Sequence, residues 1–134
     1  MNLAAGPKSL QEWLIRITFS VVGVIHVLPM MGVGGRIALE KAYGVAIDSP
    51  DMQLLLQHRA VLFGLLGMAC CIGAFNSTWR PAVWCAAMIS TSSFLLLAGF
   101  ASSTNVAIVR VIWFDVAAIC MLLIAAAAYA FRNH

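Results

Sequence analysis

Four apolar runs, each about long enough to cross a bilayer as a helix, follow one another with short polar breaks between them. A helix spanning the hydrocarbon needs roughly 20 such residues. Only 10% of the 134 residues are charged, against roughly a quarter in soluble domains. From Ala60 to His134 the Lys, Arg, Asp and Glu residues are Arg80, Arg110, Asp115 and Arg132. The expected fold class is all-α: an integral membrane four-helix bundle, with residues 1–134 forming a single transmembrane domain.

Local signals place the helices at about 13–33, 50–75, 81–101 and 106–131, with a long outer loop at 34–49. The apolar run from Ile17 to Val33 exceeds the roughly 7–15 residues of a secretory signal core, and no small-residue cleavage motif follows it. A retained first helix is therefore expected, ended by the glycines of "MGVGG". Ser49 suits an N-cap and Pro50 the first helical position of the second helix. Pro81, in "NSTWRP", opens the third, and the turn "SSTN" caps the fourth.

Orientation follows from Lys and Arg in the short loops. The N-terminus, second loop and C-terminus hold Lys8, Arg16, Arg80 and Arg132, while the first and third loops hold Arg36 and Lys41 beside Glu40 and Asp48. Both termini are thus expected to be cytoplasmic. Trp13, Trp79, Trp84 and Tyr129 fall near the same interface, as an aromatic belt would. The net charge of +3 comes from scattered residues, so no clustered basic face exists for nucleic acid. Cys70, Cys71, Cys85 and Cys120 lie in apolar segments without a C-x-x-C, which reads as polarizable packing residues rather than a redox or zinc site.

In this orientation the odd polar residues share a depth. His26 lies roughly 10 Å from the outer end of the first helix, and His58 and Arg59 about two turns into the second. Arg110 is one turn into the fourth helix, Asp115 is near its middle, and "STSS" (Ser90 to Ser93) is at mid-depth in the third. An intramembrane charge costs at least ~2.5–3.5 kcal/mol on insertion scales, so these groups are expected to meet one another in a polar pocket. That pocket would sit in the outer half, beneath the loop that carries Tyr43, over an apolar inner half. Pro29 cannot donate to the Ile25 carbonyl, which predicts a kink and a polar notch beside His26.

The candidate catalytic residues are His58, Asp115 and His26, suited to general acid–base chemistry. Arg59 and Arg110 are candidates for stabilising negative charge or for a salt bridge to Asp115. Ser93, Tyr43 and Asn105 are candidate ligand contacts, with Asn105 also a candidate cap. Ser92 and Ser93 equally suit helix packing.

The stretch "HRAVLFGLLG" (58–67) stands with "IHVLPMMGV", "YGVAIDSPDMQLLLQ" and "NVAIVRVIWFDVAA". Together they resemble a family of small four-helix bacterial integral membrane proteins of uncharacterised function. The resemblance runs from about residue 20 to 125 and implies an inner (cytoplasmic) membrane location. It directs attention to His26, Tyr43, His58, Arg59, Asn105, Arg110 and Asp115. Some members carry the label phosphopantetheine adenylyltransferase, which this sequence does not support, having neither a nucleotide-binding loop nor alternating strands and helices. In layout alone the chain is also similar to small four-helix membrane isomerases that bind haem b through a histidine near the start of helix two, where His58 stands.

Three functions fit these features. The first is binding, and acid–base or isomerase-type transformation, of a small lipophilic molecule such as an epoxide, quinone or isoprenoid. The second is haem b binding, with His26 and His58 as axial ligands. The third is a non-catalytic accessory or transport subunit whose buried charges form a structural network. The expected partners are the lipid bilayer and a second membrane chain, either another copy of this one or a different protein, because a four-helix bundle leaves much surface facing lipid.

Overall fold

The computed structural model describes residues 7–132, with side chains from residue 10 to residue 130. The side chains of Lys8 and Arg132, counted above for orientation, lie outside that range. The described chain is helical: α1 (Pro7–Val27), a 3-10 segment (Leu28–Gly34), α2 (Arg36–Tyr43), α3 (Pro50–Phe75), α4 (Arg80–Gly99) and α5 (Val106–Arg132). Four stretches are long and apolar enough to cross a membrane: Leu10–Gly34, Pro50–Phe75, Arg80–Gly99 and Val106–Ala130.

Local chemistry sets most of the boundaries. The Ser49 hydroxyl accepts from the Met52 backbone N–H at 3.1 Å and Pro50 opens α3, which therefore starts and stops as expected. The first helix does not remain α-helical to Val33. Pro29 stands at the start of the 3-10 segment, where its missing N–H and fixed φ suit a tighter turn better than a continued α-helix.

The stretch 34–49 is not an open loop either. It contains α2, which buries Leu39 and Tyr43 while leaving Ile37 exposed. The helix ends at Gly44, whose φ of 63° is left-handed, a conformation that glycine adopts without a Cβ penalty. Leu39, Tyr43 and Ile47 form a small core between α2 and the bundle.

In cross-section α1 neighbours α3 and α5, and α4 neighbours the same two helices from the opposite corner. The main core joins Ile15, Phe19 and Val22 of α1 to Cys70, Ala87, Ala118 and Leu122. The α1–α3 seam is the tightest: a Cβ on Gly67 would lie 2.7 Å from the Gly23 carbonyl oxygen and 2.9 Å from the Val27 nitrogen. Small residues let backbones approach this closely inside a membrane.

The half of the bundle expected to face inward is not purely apolar. Arg80 is 4% exposed; its guanidinium donates to both oxygens of Glu12 at 2.9 and 2.6 Å, and to the Gly73 and Ala74 carbonyls at 2.9 and 3.0 Å. It thus joins the start of α1 to the end of α3, whose terminal carbonyls have no helical donors of their own. Glu12 is the one acidic residue near that end of the bundle in the sequence, and this scarcity was the available clue.

Four outcomes follow. Gly67→Ala should destabilise the bundle by about 1–3 kcal/mol through forced separation of α1 and α3, measured by unfolding in mixed micelles. Gly99→Ala, with nothing within 4 Å of the added carbon, should leave stability unchanged. Glu12→Ala should cost about 3 kcal/mol by leaving Arg80 buried without its carboxylate. Arg16→Ala should cost less than about 1 kcal/mol, because the Arg16 side chain is 40% exposed in its pair with Glu12.

Candidate functional site

A cavity of about 200 Å³ lies between α1, α3 and α5 beneath α2, lined in part by His26, Tyr43, Arg59, Arg110 and Asp115. Its roof is the helix α2 rather than a loop. Five of the eight residues singled out from the sequence therefore border one space. The other three do not line it. His58 is exposed, one position and about 100° around α3 from Arg59. Ser93 is exposed and donates to the Ser90 carbonyl at 2.9 Å. Asn105 is a structural tie: its Oδ1 accepts from the Ile108 N–H, capping α5, while its Nδ2 donates to the Tyr43 and Gly44 carbonyls.

His26 is 2% exposed. Its Nδ1 lies 2.8 Å from the Val22 carbonyl oxygen, and a carbonyl can only accept, so Nδ1 carries the proton. The ring thus bonds back along its own helix, the direction in which helical side chains lean, and not to the Ile25 carbonyl. Nε2 is left as a buried acceptor with no hydrogen-bond partner among the described residues. Phe63 lies against the ring, the centroids 5.8 Å apart.

Arg59 is held by aromatic faces. Its guanidinium carbon is 5.1 Å from the ring centroids of Phe63 and Phe94 and 5.8 Å from that of Tyr43, within range of cation–π attraction. Phe63 follows Arg59 by four residues, a helical spacing legible in the sequence. Phe94 comes from α4 and had no local signal.

Asp115 is 6% exposed. The ion pairs among the described residues are Arg16–Glu12, Arg36–Glu40 and Arg80–Glu12, so the anticipated salt bridge from Asp115 to an arginine is not formed. Arg59 lines the same cavity as Asp115, while Arg110 is exposed at the rim. The cavity thus brings together the Asp115 carboxyl, the bare Nε2 of His26 and the ring-stacked Arg59 guanidinium, with no ion pair joining them among the described residues.

Two further tethers keep the roof in place. Gln57 donates to the Val33 carbonyl at 3.0 Å, joining α3 to the 3-10 segment. Glu40 accepts from Arg36 at 2.8 Å and from the Ile47 N–H at 3.1 Å, closing the far side of α2. The Arg36 guanidinium holds Glu40 below the usual carboxylate range.

A second cavity, of about 220 Å³, opens at the Glu12 end of the bundle between Phe19, Arg80, Trp84 and Tyr129. Its cation is already committed to Glu12, and the unpartnered buried Nε2 of His26 belongs to the cavity beneath α2. His58 lines neither of these two cavities, so neither of them brings the two imidazoles together. No family model, curated protein or solved structure matches the chain.

Two measurements check this geometry. Nitrogen-15 NMR of histidine-labelled protein should show His26 protonated at Nδ1 and bare at Nε2, the reverse of the commoner tautomer. The Glu40 tether depends on pH with a defined sign. Its folded-state pKa is below the unfolded one, so its contribution is full above the unfolded value and is lost as pH falls through the folded value. The protection of the Ile47 amide, its exchange rate compared with the intrinsic rate at the same pH, should therefore fall only at pH below the ordinary carboxylate range, and Glu40→Gln should abolish that dependence.

Proposed function

We propose that this protein binds a small lipophilic molecule in the outer cavity of a four-helix membrane bundle. The observation that carries the reading is the buried Nε2 of His26, unpartnered among the described residues, in a cavity that also holds the buried Asp115. Buried polar groups without partners are costly. They persist where a ligand or water completes them. Transformation of the ligand would be a further step, with Asp115 and His26 as its acid–base groups and Arg59 fixed beside them.

The orientation that goes with this reading has both termini in the cytoplasm, so that α2 and the cavity lie toward the outer face. The Lys and Arg distribution supports it, as do the exposed Trp13, Trp79 and Tyr129 at the opposite end of the bundle. A bacterial inner membrane and the family of small four-helix proteins rest on the sequence resemblance. Association with another copy or another membrane chain is suggested by large apolar side chains left exposed on every long helix.

Filling the cavity tests the proposal. Wild-type protein and Ala107→Trp, a substitution in the cavity wall, are purified in mild detergent and extracted with organic solvent, and the extracts are compared by mass spectrometry. A lipophile retained by the wild type should fall about tenfold or more in Ala107→Trp, equivalent to ~1.4 kcal/mol of lost binding. Equal retention by the two folded proteins would overturn the reading.

A further inference from the structure

The walls of the cavity differ in kind. His26, Asp115 and Tyr43 are buried, whereas Leu28 at the start of the 3-10 segment and Phe114 on α5 are 51% and 45% exposed. The exposed pair lies on two neighbouring spans, so the apolar mouth opens sideways toward lipid. The polar groups form the floor.

Charge then restricts what fits that floor. Arg59 carries a positive charge held among aromatic rings, Asp115 has no ion pair among the described residues, and Arg110 stands exposed at the rim. A ligand arriving from the bilayer with a charge of its own would have to carry that charge through hydrocarbon into a low-dielectric interior. What the floor lacks is a neutral group that does two things at once. It must donate to the bare Nε2 of His26, and it must accept from the Arg59 guanidinium. A hydroxyl has one donor and two acceptor lone pairs; an ether or an alkene has no donor.

We infer that the cavity takes an uncharged lipophilic alcohol or phenol, entering from the bilayer between Leu28 and Phe114 with its hydroxyl foremost. The inference rests on the binding function proposed above and specifies its ligand. A molecule dissolved in the membrane with one hydroxyl and a compact apolar body has the right polarity order, because its polar end meets the floor and its body fills the mouth.

The test uses a matched pair of photoreactive probes on wild-type protein in lipid nanodiscs: 4-(trifluoromethyldiazirinyl)benzyl alcohol and its methyl ether. Both carry the same carbene source, and only the alcohol can donate. Peptide mapping should find the alcohol inserted at the α1–α5 mouth about tenfold or more above the ether. His26→Phe combined with Asp115→Leu should abolish the difference, and His58→Ala should leave it intact. Equal labelling of the mouth by both probes would overturn the hydroxyl assignment while leaving a lipophile-binding cavity. Labelling of neither Leu28 nor Phe114 by either probe would overturn both. The comparison on the wild type requires no variant to fold.

Discussion

The proline three residues beyond His26 governs the α2 end of this bundle. In hydrocarbon every backbone polar group must find a partner inside the protein, so a proline in a spanning segment forces a local rearrangement. Here α1 tightens into the 3-10 segment from Leu28 to Gly34, and the chain turns at Gly35, where φ is 107°. The short helix α2 can then lie across the top of the bundle. The same break leaves His26 in the last turn of α1, with its ring drawn back to Val22. Without the break, the segment would continue outward and the cavity would have no roof.

From that break a series of contacts leads to the charges. Asn105 holds the Tyr43 and Gly44 carbonyls, which fixes the end of α2. Tyr43 then forms one of three aromatic faces around Arg59. A guanidinium is more weakly hydrated than an ammonium and stacks on rings, so this position suits arginine where lysine would be poorly served. Arg59 is thereby placed near Asp115 without being spent on it. The apparent oddity of adjacent His58 and Arg59 in an apolar segment also resolves: helical geometry turns one outward and the other into the bundle.

What the sequence revealed depended on whether a signal was local. The spans, the Ser49–Pro50 start of α3 and the shared depth of His26, Arg59, Arg110 and Asp115 follow from hydropathy, capping chemistry and rise per residue. Their meeting in one cavity follows from depth together with the cost of solitary charge. The errors concern direction and long-range pairing. Whether His58 or Arg59 faces inward is a rotation that the sequence does not fix. The Arg80–Glu12 contact joins residues 68 positions apart, and Phe94 reaches Arg59 from a different helix. Residues 34–49 read as a loop because α2, with eight residues, is too short to show a helical period, and its stability comes from packing against the bundle.

The two ends of the bundle deal with buried polarity in opposite ways, and this contrast is the strongest argument for where function resides. At the Glu12 end Arg80 has four hydrogen bonds to protein oxygens, two of them to a carboxylate, and these hold α1 against α3. At the α2 end an acid, an imidazole and a guanidinium line one space, and no ion pair joins them among the described residues. A network serving only to lock helices together would gain from closing the Asp115–arginine pair, as the other end does with Glu12. The proposed ligand would complete the groups that the described chain leaves open.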